Sequence, residues 1–186
     1  MPARYSFVSR WRVPAPAART WEEVERMVLA RPPRGDPVRQ PGAGPLWWPA
    51  VTLPMPPRRL AVGERMVLAV RSPLGYALRM RLELSEVEPG RTIAATSDGD
   101  LRGRGSVTVE AEGAEASVVT FHWDVETRRR WMNLTAGLLR PAFEAAHAHV
   151  MARGEHGLRA ALAEGRSEAR NAGNPRFSGG GPSDAD

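Results

Sequence analysis

The part of the sequence that most restricts the fold is the stretch from Leu60 to Glu126, where apolar and polar residues alternate through consecutive short segments. Alternation with a period of two is typical of strands that bury one face. Turn sequences such as Glu88-Pro89-Gly90 and Asp98-Gly99 separate the segments, and they are too short to contain a crossover helix. Consecutive strands must therefore pair antiparallel, in a sheet that is covered on one side.

Two further elements are predicted before this stretch. Residues Tyr5 to Val13 alternate in the same way and predict a first strand with one solvated face. Residues Ala17 to Leu29 place apolar side chains at helical spacing and predict a short helix. A loop rich in Pro and Gly follows over residues 31–45, and Leu46 to Pro49 then restores large apolar surface as one short helical turn.

The pattern changes to a helical one near the C-terminus, from Trp131 to about Ala163. Apolar or small residues recur there every three or four positions and mark one long face: Leu139, Phe143, His147, Val150, Gly154, Leu158 and Leu162. Pro141 is expected to kink or restart this helix, because its ring nitrogen cannot donate a hydrogen bond. Residues 164–186 contain a Gly triplet and few large apolar residues, which predicts a disordered tail after a domain spanning residues 1–163.

These elements predict an α+β protein with a helix-grip arrangement. A curved antiparallel sheet of about six to seven strands wraps around the long C-terminal helix, and one or two short helices follow the first strand. Such curvature leaves space between the helix and the concave face of the sheet. Small-molecule sites are found in hollows of this kind, with volumes of ~300–1,000 Å³.

Composition excludes several classes of function. The chain has no Cys, so disulfides, thiolate metal sites and thiol nucleophiles are excluded. It has no apolar run of the roughly 18 residues that a membrane span needs, and its N-terminus lacks the apolar core of a signal peptide. We therefore predict a cytoplasmic protein without a transmembrane segment. The net charge of +5 comes from arginines scattered among acidic residues, which does not predict specific nucleic-acid binding.

Several local runs resemble the START-like superfamily, also called SRPBCC, and within it the polyketide cyclase/dehydrase-like group. These runs are Trp47-Trp48-Pro49, the Gly63-Glu64 strand opening, Phe121-x-Trp123-x-Val125, Trp131-Met132-Asn133-Leu134, and the pattern P-x-F-x-x-x-H-x-x-V-M-x-x-G-x-x-G-L from Pro141 to Leu158. The resemblance covers about residues 4–163. It implies a helix-grip fold with a hydrophobic ligand cavity, and it does not supply a catalytic set.

His147 is the ionisable residue of greatest interest, because it lies on the apolar helix face between Phe143 and Val150. An imidazole can act as an acid or a base near neutral pH if substrate reaches it. The alternative is a core histidine that is hydrogen-bonded to a strand carbonyl or to Tyr76. Tyr76 itself stands at the start of a strand, where its hydroxyl could orient a ligand oxygen. The two residues are the candidate catalytic pair.

The pattern also predicts which side chains line the pocket. They are the inward-facing residues of the sheet and helix together with the second Trp of the Trp-Trp-Pro run: Trp48, Met66, Leu68, Tyr76, Leu78, Met80, Leu82, Phe121, Trp123, Leu139, Phe143, His147 and Val150. Trp48 and Trp123 are the indoles predicted to stack on a flat ligand.

The register of the last strand leaves one alternative open. If Phe121 and Trp123 face inward, His122 and Asp124 face solvent. The opposite register would bring those two residues into the cavity beside His147. A metal site would then be conceivable, although no three-ligand zinc motif is present. We predict no metal and no cofactor, since neither a Walker motif nor a dinucleotide fingerprint occurs.

Three functions follow from these features. The leading hypothesis is a module that binds a small hydrophobic or aromatic molecule, lipid-like or polyketide-like, in the cavity between sheet and helix. The alternative is an aromatase/cyclase-type enzyme that uses His147 as general acid/base, and the sequence leaves enzymatic activity open. A third hypothesis, an arginine-driven interaction protein, has no charge stripe to support it. The expected partner is a small hydrophobic ligand, and the expected state is a monomer or weak homodimer.

Overall fold

The computed structural model describes residues 4–31, 47–127 and 130–172, and within the C-terminal helix it describes the side chains of residues 141–167. The described part contains one antiparallel sheet of seven strands in the order β1-β7-β6-β5-β4-β3-β2. The strands are β1 Arg4–Val13, β2 Val51–Met55, β3 Arg65–Arg71, β4 Ala77–Glu88, β5 Thr92–Gly99, β6 Leu101–Ala111 and β7 Ser117–Thr127. The predicted α+β helix-grip class is confirmed.

The alternating sequence pattern corresponds to the two faces of the sheet. In β1, Tyr5, Trp11 and Val13 are buried on the concave face, whereas Val8 on the convex face is 60% exposed. β7 shows the same division, with Val119 and Val125 buried on the concave side. Apolar burial on one face therefore sets the register of both strands, because a shift by one residue would expose every concave side chain.

Strand β2 was not predicted as a strand, and Pro54 lies within it. Proline cannot donate a hydrogen bond to a neighbouring strand, so it is tolerated at a sheet edge. β2 occupies such an edge and pairs with β3 alone. The preceding Trp47-Trp48-Pro49 run is an irregular turn, closed by a 3.0 Å hydrogen bond from the Val51 N–H to the Trp48 carbonyl, and not the predicted helical turn.

The sheet curves because several local features bend its strands. The pairing of β4 with β5 shifts register between Leu84 and Glu86, and bulges of this kind increase bending and twist. Gly103 in β6 has φ of 156°, and a side chain there would overlap the carbonyl oxygen of Asp124. Gly103 therefore allows the backbone of β7 to approach β6 closely.

Two helices lie against the sheet. α1 (Ala17–Val28) follows β1, as predicted, and buries Trp21 and Val24. α2 (Arg130–Ala172) passes through Pro141 as one continuous helix. It continues beyond the predicted end near Ala163, while residues 173–186 lie outside the described residues. Residues 164–172, which were predicted to begin the disordered tail, are therefore helical. The division of the chain into a domain and a tail at residue 163 stays a prediction.

The core lies between the concave face of the sheet and the inner faces of both helices. Leu158 and Leu162 of α2 are 0% and 1% exposed, and Trp11 of β1 is 2% exposed. The end of α2 that carries Leu158 and Leu162 is thus packed firmly into the core. Farther toward the N-terminus of this helix, from Met151 back to Phe143, the helix and the sheet enclose a cavity.

Candidate ligand cavity

The cavity has a volume of about 290 Å³ and lies between the concave face of the sheet and α2. Side chains from β1 to β7 form its floor and walls, and the helix covers it with Phe143, Ala146, His147, Val150 and Met151. Nearly all of these side chains are apolar. The volume is at the lower end of the range for small-molecule sites, so the cavity suits a compact, largely apolar guest.

Most of the side chains predicted for the pocket line this cavity. They are Trp48, Met66, Leu68, Tyr76, Leu78, Met80, Leu82, Phe121, Trp123, Phe143, His147 and Val150. The side chain of Leu139, also predicted to line it, lies outside the described residues. Whether these residues bind a ligand stays a prediction.

The sequence analysis did not identify the small residues that create the hollow. Gly105 pairs with Trp123 on one side and with Ala95 on the other, and both small residues line the cavity. The six-membered ring of Trp123 lies directly against Gly105, in the space that a side chain there would fill. The available signal was the run of Gly103 and Gly105 within a strand pattern, since glycine in a strand often marks close packing.

Two of the runs that carried the family resemblance, Trp47-Trp48-Pro49 and the helical run from Pro141 to Leu158, meet in space beside the cavity. The Trp48 indole Nε1 donates a 2.8 Å hydrogen bond to the Val150 carbonyl of α2. A Cβ on Gly154 would lie 2.5 Å from Trp48 Cε2 and 2.7 Å from Trp11. A Cβ on Gly157 would overlap the Trp47 carbonyl oxygen. The two glycines thus let the helix approach the tryptophan turn closely enough for this hydrogen bond.

His147 is packed face to face on Phe7, with ring centroids 4.0 Å apart and planes inclined by 15°. Its Nε2 is buried and makes no hydrogen bond to any residue within the described ranges. The expected hydrogen bond to a strand carbonyl or to Tyr76 is therefore absent at this atom. Burial lowers the pKa of His147 below its ordinary value of 6.5, because desolvation disfavours the imidazolium. The imidazole is accordingly neutral at pH 7.

Tyr76 lines the cavity from the start of β4, and its side chain is half-buried. Its ring meets Phe143 edge-on, with centroids 6.3 Å apart. Tyr5, on the opposite flank of the sheet, meets Phe143 in the same way at 6.4 Å. Phe143 thus connects the two flanks across the cavity. Edge-to-face contacts of this kind add to area burial and hold the rings in fixed orientations.

His122 is exposed on the convex face, where it pairs with Val8 of β1 and Ser106 of β6. The inward register of Phe121 and Trp123 is the one that occurs, so the alternative that placed His122 and Asp124 beside His147 is wrong. Among the residues with described positions, no group of three His, Asp or Glu side chains is arranged to bind a metal ion.

Arginines on the convex face alternate with acidic residues, as predicted. Arg65 pairs with Glu83 at 2.8 Å and Arg81 pairs with Asp98 at 3.0 Å, and both arginines are largely exposed. Exposed pairs of this kind are screened by salt and contribute little to stability. The mixed charges leave no continuous basic stripe along these strands.

In the described part of the chain, no helix has both the length and the apolar character needed to cross a membrane.

Comparisons with known proteins identify the fold. No family model and no curated protein matches the sequence. A solved structure from Thermus thermophilus aligns at a TM-score of 0.63 with 15% identity, over 87% of this chain and 99% of that one. An aromatase/cyclase from Streptomyces sp. R1128 aligns at 0.60 with 17% identity, over 93% and 100%. A START superfamily protein from Mycobacterium smegmatis aligns at 0.59 with 13% identity, over 86% and 97%.

At these identities the similarity defines the fold. The chain has the START-like fold, in agreement with the resemblance to START-like and polyketide cyclase-like proteins that the sequence runs carry. This fold supports different activities in different proteins. The function must therefore be argued from the cavity of this chain.

Proposed function

We propose that this protein binds a small, hydrophobic or aromatic molecule in the cavity between sheet and α2. The observation that carries the proposal is a cavity of about 290 Å³ whose described lining is almost entirely apolar. Well-packed protein interiors have few voids larger than a water molecule. An empty cavity of this size lowers the stability of the folded protein. Binding of an apolar molecule offsets that cost, because the molecule fills the cavity.

The expected affinity follows from the area that a guest would bury. An aromatic ligand that removes about 200 Å² of apolar surface from water gains about 5 kcal/mol at ~25 cal/mol per Å². Part of this gain is offset by the loss of translational and rotational freedom on binding. Since 5 kcal/mol alone corresponds to a Kd of about 0.2 mM, we expect a Kd of about 0.2 mM or weaker for simple aromatic probes, and tighter binding for a ligand that buries more apolar surface.

Titration with N-phenyl-1-naphthylamine, a neutral dye whose fluorescence rises in apolar surroundings, tests the proposal. We expect saturable binding at one site per chain. Ala95→Leu should abolish it, because Ala95 is 7% exposed and lines the cavity. Ala94→Leu is the matched control, since its neighbour Ala94 does not line the cavity. Absence of saturable binding, or equal binding by both variants, would contradict the proposal.

The geometry of His147 favours one alternative function, an aromatase/cyclase-type enzyme. A neutral imidazole with an unpartnered Nε2 among the described residues could take a proton from a reactive chain held in the cavity, and Tyr76 could orient a ligand oxygen. General acid–base catalysis typically contributes ~10²–10⁴-fold. His147→Gln should reduce turnover of a polyketide-type substrate by that factor if the protein is such an enzyme. Unchanged turnover in this variant would exclude the role.

A further inference from the structure

We infer that the cavity selects uncharged ligands that carry one hydroxyl or carbonyl group, and that the His147 imidazole receives this group. The inference rests on the proposed function, because it specifies the chemistry of the molecule that enters the same cavity. Two independent observations support it: the described cavity lining carries no Arg, Asp or Glu side chain, and Nε2 of His147 makes no hydrogen bond to a described residue.

The first observation is the absence of a countercharge. Among the described residues that line the cavity there is no Arg, Asp or Glu side chain. The arginines of β4 and β6, such as Arg81 and Arg104, are exposed on the convex face instead. A carboxylate taken into such a cavity would lose its hydration and meet no Arg side chain among the described lining residues, which is strongly unfavourable. The lining thus discriminates against fatty acids and other anions, although it would accept their apolar parts.

The second observation is the missing hydrogen bond at His147. Most buried polar atoms in proteins have a partner, yet Nε2 makes no hydrogen bond to a described residue. Phe7 is stacked on one face of the ring. Because the N–H bond and the nitrogen lone pair of an imidazole lie in the ring plane, a hydrogen-bond partner must approach along the ring edge. A neutral imidazole offers one donor and one acceptor. A hydroxyl or a carbonyl oxygen of a ligand can therefore complete its hydrogen bonding without any change in charge.

The unpartnered nitrogen is enclosed in this structure, so contact with a ligand requires the imidazole to turn about its side-chain bonds. The adjoining cavity supplies space for that movement, since His147 forms part of its wall. A hydrogen bond formed there would be shielded from water. Leaving a buried polar partner unpaired is costly, so ligands without a polar group should bind less tightly than ligands that carry one.

Three probes of similar shape separate these effects: 2-naphthol, 2-methylnaphthalene and 2-naphthoate, titrated at pH 7 by tryptophan fluorescence. We expect 2-naphthol to bind about 5- to 10-fold more tightly than 2-methylnaphthalene, because one additional buried hydrogen bond contributes about this much to affinity. We expect 2-naphthoate to bind at least ~10-fold more weakly than 2-naphthol. Equal binding of the acid and the alcohol would overturn the inference, even though the proposed binding function would stand.

Variants of His147 assign the effect to this residue. His147→Leu should remove the preference for 2-naphthol over 2-methylnaphthalene, and His147→Gln should retain part of it. His149→Leu is the matched control on the same helix, because His149 is exposed, and it should behave as the unmodified protein. His147→Arg should reverse the selectivity in favour of 2-naphthoate. If His147→Leu keeps the preference, the inference is wrong, whereas failure of all three probes to bind would instead contradict the proposed function.

Discussion

Gly154 of α2 lies directly against the indole of Trp48, whose Nε1 donates a 2.8 Å hydrogen bond to the carbonyl of Val150 one helical turn earlier. The contact joins the turn before β2 to the C-terminal helix at one end of the cavity. Because the indole and the helix backbone touch, even one added methyl group would separate them. The position of the helix over the sheet therefore depends on a residue without a side chain.

We predict that Gly154→Ala destabilises the protein, because overpacking a filled interior usually costs about 1–3 kcal/mol. The ~1 kcal/mol by which alanine normally stabilises a helix relative to glycine offsets part of this cost, so the net destabilisation should be up to about 2 kcal/mol. Urea unfolding measures the difference. Gly165→Ala is the matched control in the same helix, because a Cβ there would meet the flexible end of Arg19. It should be neutral or stabilising, and equal effects at both sites would contradict the packing argument.

Gly105→Ala should displace the Trp123 indole, because an added Cβ would occupy the space taken by the ring. Backbone pairing with β7 fixes the position of Gly105, so the side chain of Trp123 must move into the cavity. We expect aromatic probes to bind about tenfold more weakly, which corresponds to a loss of about 1.4 kcal/mol in binding free energy. We also expect a shift in tryptophan emission. Unchanged affinity and emission would show that the ring can move elsewhere.

The stability of the folded state should fall as the pH is lowered through 6.5. Burial lowers the pKa of His147 in the folded protein, while in the unfolded chain the value is near 6.5. Between these two values the unfolded chain binds more protons, so the free energy of unfolding rises with pH across that window.

Urea unfolding between pH 5 and pH 8 measures this dependence. His147→Phe should reduce the pH dependence, because the substituted ring has no proton to bind. His149→Phe, at an exposed position of the same helix, should keep the full dependence. An identical pH profile for His147→Phe and the unmodified protein would mean that His147 does not contribute.

Leu158→Ala should destabilise the protein by about 2–5 kcal/mol, since it removes a side chain that is 0% exposed and leaves a void. Leu74→Ala makes the same chemical change at a position that is 51% exposed, and it should alter stability by less than about 0.5 kcal/mol. Thermal or urea unfolding of the two variants provides the comparison. A small effect at Leu158 would indicate that the helix repacks over the sheet.

Sequence patterning predicted the strands best where one face is buried and the other is solvated. In β1, and in β4 as far as Leu84, each residue's side of the sheet follows from alternation alone, because side chains two positions apart lie on the same face. β2 was not predicted, and its Pro54 argues against a strand unless its neighbours are known. Only the sheet order shows that β2 is an edge, where proline leaves no inter-strand hydrogen bond unmade.

For the candidate site, too, the sequence predicted which side chains face inward and did not predict the contacts between distant segments. Periodicity placed His147 on the inner face of α2, and it placed Phe121 and Trp123 on the concave face of β7. It could not show that Nε2 has no hydrogen-bond partner among the described residues, because hydrogen bonding depends on residues that are distant in the chain. It also did not show that Gly105 and Ala95 lie side by side and open the hollow, since strand register joins them across 10 positions of sequence.

The amino-acid order alone thus determined the succession of strands and helices and the face that each one buries, because burial of apolar side chains acts through local spacing. Tertiary structure decided the volume of the cavity, the surroundings of the buried His147 Nε2 and the contact between Gly154 and Trp48. These properties arise where separate segments meet, and their geometry depends on packing to within a fraction of an ångström.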